Sequence, residues 1–211
     1  MPFLYFTTIR RMLVAFGVVL LFSLTNIHAQ RIEVHANKDL SNHEIVNKSW
    51  GCGGAIDLDQ WVKKTTFRLN FNWAQFRNSH DIKNPRYRRL SGGVSVFYSF
   101  AFKGGFSTQV GAEVQYSNLI HTYIYDYEMV DSLRGKPLTL KQTGNFIGIG
   151  PHIGVRYDLS PRFCVALNFV PSYLIPVGAK SSNRNIEPEF AKAIWIYPIQ
   201  LGLSFKLFNN P

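Results

Sequence analysis

The chain has 211 residues, with 23 Lys and Arg against 13 Asp and Glu, and its formal net charge is +10. Because 46% of the residues are hydrophobic and only 17% are charged, the composition excludes a disordered chain, which lacks the apolar residues that offset ordering entropy. The only long apolar run lies within the first 30 residues, which excludes a bundle of membrane helices, and two cysteines are too few for a disulfide scaffold.

Residues 1–29 have the pattern of a secretory signal peptide. Two arginines precede an apolar run of 13 residues, Met12 to Leu24, and the small residue Ala29 stands at the expected cleavage point. A membrane anchor, the alternative, needs about 20 apolar residues. Removal of 29 of the 211 residues leaves a domain at 30–211 with 182 residues, and its charge is +8 because the removed segment carries two Arg and no acid. Since this domain leaves the cytoplasm, its basic balance requires no nucleic-acid partner.

The rest of the chain alternates apolar and polar residues, and this period of two predicts β-strands. In the clearest case Phe67, Leu69 and Phe71 are interleaved with Arg68 and Asn70. Eight such segments are predicted, in chain order, at 32–36, 50–58, 67–73, 94–102, 106–116, 147–157, 163–173 and 195–207. No segment has a convincing helical period.

The connections between these strands alternate between short and long. Short turns are expected at 61–64, 103–105 and 160–162, and long loops at 38–47, 78–89, 122–145 and 177–192. The lengths of the short turns match the side-chain phase of the strands on either side, which specifies the register of each hairpin. This register predicts that Asp57 lies opposite Arg68 as a cross-strand ion pair.

Three features predict that the apolar face looks outward at lipid. The polar face is rich in small Gly, Ser, Ala and Asn, which suits a lumen filled by side chains. Aromatic residues cluster at the strand ends, in a lower ring of Phe67, Phe102, Phe106, Tyr157, Phe163 and Phe205 and an upper ring of Trp50, Trp73, Tyr116, Tyr173, Trp195 and Tyr197. Aromatic rings favour the membrane interface, and short turns on one side with long loops on the other are typical of outer-membrane barrels. The alternative is a secreted all-β domain with an ordinary apolar core.

A sheet that crosses a membrane has to close, because every backbone N–H and C=O in hydrocarbon needs an internal partner. The last strand is therefore expected to pair with the weak first strand at 31–37, although about 9–11 residues are needed to span a bilayer. Pro151 and Pro171 lie within strands and lack a donor, so irregular pairing is expected there. The predicted fold class is all-β: a closed, eight-stranded, antiparallel, up-and-down transmembrane β-barrel.

These hairpins resemble the small eight-stranded outer-membrane barrels of Gram-negative bacteria, of the OmpX and OmpA type, also described as the outer-membrane β-barrel domain or porin family. The likeness covers residues 31–208, and the ending Gly202 to Phe208 resembles the terminal strand that the barrel-assembly machinery recognises during insertion. That family usually closes on an aromatic residue, whereas Asn209, Asn210 and Pro211 follow here. The resemblance implies location in the cell outer membrane and a structural or surface-binding role: envelope integrity, adhesion, or accessory to an envelope complex with a protein partner. It implies no cofactor.

Seven charged residues on the polar face predict a compensated network inside the lumen: Asp57, Asp59, Arg68, Glu113, Arg156, Asp158 and Lys206. Buried charges are usually paired, and eight strands enclose a lumen just wide enough for side chains. The alternative is that these groups line a narrow path, as in a porin-like channel for ions or small solutes.

Basic residues in and beside loop 78–89 predict a surface that binds lipopolysaccharide. They are Arg77, Lys83, Arg86, Arg88 and Arg89, and only Asp81 opposes them. Just above the bilayer such groups can neutralise lipid phosphates, which Arg binds in a bidentate fork. The alternative is a solvated loop with no ligand.

A third class of function is a barrel enzyme that modifies lipid A, which needs a nucleophile and a base at the lipid-facing rim. Ser117 and His121 share one strand face, but no histidine stands in the His-x-Ser-Asn arrangement of the lipid A deacylase barrels, so no catalytic residue is assigned. No metal-binding motif is present either. Cys52 is expected to point outward and Cys164 inward, on strands that are not neighbours, which predicts two free thiols.

Overall fold

The computed structural model describes residues 29–42, 46, 49–59, 65–77, 86–125, 138–182 and 188–207. Its strand segments are β1 Ala29–Ser41, β2 Trp50–Asp59, β3 Thr65–Arg77, β4 Arg86–Ala101, β5 Phe106–Tyr125, β6 Leu138–Asp158, β7 Phe163–Phe169, β8 Ser172–Ser181 and β9 Ile194–Lys206. No helix in these ranges is long and apolar enough to cross a membrane. The signal-peptide prediction lies outside the described residues except for Ala29.

The strands close into a ring of eight. Each segment pairs antiparallel with its neighbours, and β9 returns to pair with β1 along Arg31 to Ser41. β7 and β8 are successive pieces of one strand, because both pair with β6 on one side and with β9 on the other. The prediction of a closed eight-stranded antiparallel barrel is therefore confirmed, including its closure through the first strand.

Prolines explain the break between β7 and β8. The shared register of β6 with these two segments places Pro151 opposite Pro171, and neither residue has an N–H to donate to the ladder. The chain stays anchored there through β9, because the Val170 N–H donates to the Pro198 carbonyl at 3.2 Å. The irregularity predicted at the two prolines is confirmed.

Several strands are longer than predicted. β1 has 13 residues and is not confined to 31–37, while β5 and β6 have 20 and 21 residues. The segments 86–89, 122–125 and 138–145, which were expected in loops, belong to β4, β5 and β6. These loop predictions were wrong at their ends, because the sheet continues above the level at which the apolar alternation stops.

The short connections have the predicted phase. The β2–β3 hairpin places Asp57 opposite Arg68, as the turn length required. The β4–β5 turn passes through Gly104 and Gly105 at φ 79° and 81°, a left-handed region open to glycine. The short turns therefore mark one end of the barrel, called here the lower end, and the long connections mark the upper end.

Apolar side chains point out of the barrel, and polar ones fill most of it. Phe71, Leu167 and Leu201 are 53%, 49% and 58% exposed, whereas Arg68 and Asn168 are 1% and 0% exposed. A dry central core made of the apolar face is thereby excluded, so the alternative of a secreted domain with an ordinary core is wrong. An exterior of this kind is stable only against hydrocarbon.

Two aromatic girdles border this apolar belt. In the lower girdle the rings of Phe106 and Tyr157 are 4.6 Å apart, and in the upper girdle those of Tyr173 and Trp195 are 4.9 Å apart. On β5, Phe106 of the lower girdle and Tyr116 of the upper girdle are ten residues apart. At about 3.3 Å per residue and a tilt of about 40°, this separation covers about 25 Å of the membrane normal, the height of the apolar band of outer-membrane barrels.

Candidate functional site

The lower lumen holds four charged side chains in contact, Glu33, Asp57, Arg68 and Arg156, called here the basal network. Arg68 donates to Asp57 through Nε (2.7 Å) and Nη2 (3.2 Å), and to Glu33 through Nη2 (2.8 Å) and Nη1 (3.3 Å). Arg156 Nη2 donates to the Asp57 carboxylate and lies 3.7 Å from Glu33. Two carboxylates and two guanidinium groups make the network neutral as a unit.

Neutral groups complete the basal network on its remaining sides. Asn168 donates to Glu33 at 3.0 Å, and the Gln109 carboxamide, with its oxygen toward Arg156, accepts from that guanidinium at 3.1 and 3.3 Å. Phe97 lies against both arginines, with its ring centroid 5.4 Å from one guanidinium carbon and 5.8 Å from the other. Cation–π contact of this kind is attractive in a desolvated site, so the network is held by its environment as well as by its own charges.

The middle of the lumen carries hydrogen bonds between strands that are far apart in sequence. Glu113 accepts from Asn70 and from Ser95, each at 2.7 Å. His35 on β1 donates a hydrogen bond to Asn72 on β3 at 2.6 Å, so β1 also contributes to this layer. The Asn70–Glu113 and His35–Asn72 bonds each reach past one intervening strand, from β3 to β5 and from β1 to β3, and they satisfy polar groups that burial would otherwise penalise.

Arg89 corrects one predicted site. It was placed among the lipopolysaccharide-binding residues of loop 78–89, but β4 begins at Arg86, so Arg89 points into the lumen and is 1% exposed. There it forms a bidentate ion pair with Asp39, at 2.6 and 2.9 Å, and donates to Ser91 at 2.8 Å. A guanidinium used in this way is not available to an external phosphate.

An apolar cluster fills the lumen above the Arg89–Asp39 pair, and it is called here the upper plug. Its members are Val46, Tyr87, Leu119, Phe146, Leu174, Phe190, Ile194 and Ile196, each at most 5% exposed. Val46 and Phe190 come from connections between strands and not from the wall. Gly144 provides the space for Phe190, because a β-carbon at that position would lie 2.5 Å from the Phe190 β-carbon.

The predicted lumen residues fall into three positions. Asp57, Arg68 and Arg156 meet in the basal network, and Glu113 lies separately in the middle layer. Asp158 is exposed and Lys206 half-exposed, both at the lower mouth. The prediction of one network that includes these two was wrong, because they lie beyond the last enclosed layer. The side chain of Asp59 is outside the described residues.

Two of the remaining basic residues of the predicted surface, Arg86 and Arg88, face outward at the upper end. Arg86 and Arg88 are exposed and border a recess of about 350 Å³ with Trp73 and Ile120. The side chain of Arg77 and the whole of Lys83 lie outside the described residues. Of the five residues predicted to bind lipopolysaccharide, the structure therefore places two, Arg86 and Arg88, together at one outward-facing recess.

Within the part of the chain that the structure describes, the residues considered for catalysis, disulfide formation or metal binding form no such site. Ser117 and His121 are buried and point into the lumen, away from the lipid rim at which a lipid A enzyme would act. Cys52 is exposed, Cys164 is buried and both thiols are free, as predicted. Among the described side chains, no group of three or more His, Cys, Asp or Glu residues is placed to hold a metal ion.

Sequence analysis overlooked the polar face of β1. Glu33, His35 and Asp39 each supply one partner of a buried layer, yet the sequence predicted this segment only as the weak first strand that closes the barrel. The signal was present, because the same alternation that turns the aliphatic residues outward turns the acids and the histidine inward.

No family model matches this chain, and no curated protein matches it in sequence. Solved structures share its fold. A major outer membrane protein from Thermus thermophilus aligns with a TM-score of 0.58 at 14% identity, over 85% of this chain and 100% of its own. Neisserial surface protein A aligns with a TM-score of 0.53 at 14% identity, over 86% of this chain and 99% of its own. The fold is that of the small outer-membrane barrels, and the apolar belt between two aromatic girdles places this chain in the cell outer membrane.

Proposed function

We propose that this protein is a closed, non-conducting barrel that works at its outer surface, where it binds the phosphate groups of lipopolysaccharide and so contributes to envelope integrity. The observation that carries the proposal is the outward-facing recess at Arg86 and Arg88, immediately above the upper aromatic girdle. The filled lumen supports it indirectly, because it favours a role outside the barrel over transport through it.

The lumen is filled in successive layers. The basal network, the middle layer and the Arg89–Asp39 pair place hydrogen-bonded polar groups across the barrel, and the upper plug adds apolar side chains above them. An eight-stranded barrel has room for little else. A solute would have to displace both a buried ion-pair network and an apolar cluster, which argues against the alternative of a narrow porin-like channel.

The recess has the chemistry of a phosphate site. Arg86 and Arg88 are two residues apart on β4, so they point to the same side, and their neighbours in the sheet are Thr122 and Ile120 on β5. Arg binds phosphate through two parallel hydrogen bonds, and its charge complements an anionic headgroup. Trp73, from the upper girdle, forms the lower border of the recess and fixes its height at the headgroup level.

The wall below the recess offers space for an acyl chain. Gly92 faces outward between Phe71 on β3 and Tyr116 on β5, which are its direct neighbours across the sheet. Only one atom, the Asn70 carbonyl oxygen at 3.7 Å, lies within 4 Å of the place a β-carbon would take at Gly92. The two aromatic rings therefore flank a shallow groove that leads from the arginines toward the membrane interior.

Binding of purified lipopolysaccharide to the refolded barrel in maltoside micelles tests the proposal. We expect Arg86→Gln combined with Arg88→Gln to weaken binding by about a hundredfold, since each charge-assisted contact contributes about 1.5 kcal/mol or more. Lys103→Gln, in an exposed lower turn, is the matched loss of charge and should leave binding unchanged. Equal affinity in the double variant and the wild type would contradict the proposed site.

Conductance in planar bilayers tests the closed lumen. We expect no conductance steps from the wild-type protein. A steady conductance whose ion selectivity changes in Glu113→Gln would instead establish the channel alternative, because that carboxylate lies in the middle of the lumen.

We further propose that the barrel-assembly machinery inserts this chain by recognising β9, and that its exposed ends leave room for an envelope protein partner. The role of β9 as the closing strand, paired with β1 from Arg31↔Lys206 to Ser41↔Ile196, supports the first part. A variant of this protein that lacks Gly202 to Phe208 should fail to assemble in the outer membrane of cells that express it if β9 is the recognised strand.

A further inference from the structure

The lower mouth contains a second recess, of about 150 Å³, which opens inside the ring of strands. It is bordered by Arg31, Asp158, Ser160, Arg162, Ser204 and Lys206. It lies at the opposite end of the barrel from Arg86 and Arg88, so it is independent of the lipopolysaccharide site.

Positive charge is in excess in this recess. Three cations, Arg31, Arg162 and Lys206, border it with a single acid, Asp158. Arg31 and Lys206 lie directly opposite each other in the β1–β9 seam, a like-charge pair that destabilises a sheet. Among the described side chains none of these three cations has an ion-pair partner. A bound anion would offset this repulsion.

The neighbouring acids are already used elsewhere. Asp57 lies opposite Arg31 on β2, but its carboxylate accepts hydrogen bonds from Arg68 and Arg156. The basal network is neutral as a unit, so it contributes no net negative charge to the recess below it.

The β6–β7 turn adds a hydroxyl donor and holds the recess in shape. Ser160 Oγ accepts from the backbone N–H groups of Arg162 (3.3 Å) and Phe163 (3.1 Å), which leaves its own hydrogen free to donate. The Lys206 N–H donates to the Arg162 carbonyl at 2.8 Å and ties the turn to β9. These hydrogen bonds therefore fix the positions of Ser160, Arg162 and Lys206 relative to one another.

The short turns of outer-membrane barrels face the periplasm, so this end is open to periplasmic solutes. We propose that this recess is an anion site that binds a phosphate or carboxylate group of a soluble periplasmic ligand. The recess has a volume of about 150 Å³ and is open to solvent, so it has room for one such group. Guanidinium and ammonium groups with one hydroxyl form the donor set that such oxyanions require.

Calorimetric titration of the refolded full-length barrel in maltoside micelles tests this site, with inorganic phosphate and acetate as separate probes. We expect saturable binding of at least one probe, about tenfold weaker in Arg162→Gln and in Lys206→Gln, since one charge-assisted hydrogen bond is lost in each. Asp158→Asn should strengthen binding, because it removes the one repulsive charge. Lys103→Gln, in another lower turn, should have no effect.

Glucose 6-phosphate distinguishes a free ion from the terminal group of a larger molecule. Binding as tight as that of inorganic phosphate indicates a terminal group, and loss of binding indicates a site closed around the free ion. Absence of saturable binding by all three probes, or equal binding by wild type, Arg162→Gln and Lys206→Gln, would overturn the proposal. Because Arg162 lies in an exposed turn, its replacement should leave the barrel folded. Arg86→Gln should bind the three probes as the wild type does, which distinguishes this site from the proposed lipopolysaccharide site.

Discussion

Replacement of Arg68 by methionine tests whether the basal network acts as one neutral unit. The guanidinium donates four hydrogen bonds of 2.7 to 3.3 Å to Asp57 and Glu33, and it is 1% exposed. Its loss leaves two buried carboxylates against the single charge of Arg156. Breaking a buried ion pair costs about 3–5 kcal/mol, because the remaining charge has no compensation. Arg68→Met should therefore lower the free energy of unfolding by about 3–5 kcal/mol, measured by urea titration of the barrel in lipid vesicles with tryptophan fluorescence.

A second variant separates charge balance from the loss of side-chain volume. Glu33→Gln combined with Arg68→Met leaves one carboxylate and one guanidinium, so the network is neutral again. We expect the double variant to recover at least about 2 kcal/mol of the loss, since a neutral buried set tolerates replacement far better than an unpaired charge. If the double variant is no more stable than Arg68→Met, the charges are not coupled and the account of the network is wrong.

Two paired substitutions test the inward and outward assignments with the same urea titration. Gly53→Ala should cost about 1–3 kcal/mol, because its β-carbon would lie 2.3 Å from the Phe71 carbonyl oxygen and 2.5 Å from the buried His35 imidazole. The outward Gly54→Ala has no neighbour nearer than 3.4 Å and should change stability by less than about 0.5 kcal/mol. Arg89→Met should cost about 3–5 kcal/mol by stranding Asp39, and the adjacent, exposed Arg88→Met should cost less than about 0.5 kcal/mol. Equal effects within either pair would contradict the assigned faces.

Much of the barrel follows from the period of two in the sequence. In the β2–β3 hairpin the alternation decides which face each residue occupies, and the length of the turn decides which residues meet. Together they predict the Asp57–Arg68 contact before any coordinates are known, because a slip of one residue would turn every side chain to the other face. Closure through β1 follows in the same way from the demand that each backbone group in hydrocarbon has a partner.

The contacts between distant parts of the chain do not follow from that pattern. Val46 and Phe190 enter the upper plug from connections, where no alternation indicates the direction of a side chain. Their neighbour Phe146 lies on the inward face of β6, although the alternation predicts polar residues on that face. Packing of this kind depends on the three-dimensional shape of the lumen, which a local sequence pattern does not contain.

The errors at the upper end have one physical cause, a reversal of polarity along the strands. On β4 the outward residues change from Arg86 and Arg88 to Leu90, while the inward residues change from Tyr87 to Ser91. Above the reversal, β4 resembles a strand of a soluble protein, with Tyr87 inside and charged arginines outside, and below it the order is inverted for lipid.

The same reversal supports the proposed lipopolysaccharide site. Because the exterior of β4 becomes charged only where water and headgroups replace hydrocarbon, the change marks the membrane surface on this wall. Arg86 and Arg88 are the first outward residues above that boundary, and Trp73 lies at it. Their height is thus required by the stability of the barrel in a bilayer, and it coincides with the layer in which lipid phosphates are found. A charged pair placed lower would be costly in hydrocarbon, and one placed higher would be out of reach of the headgroups.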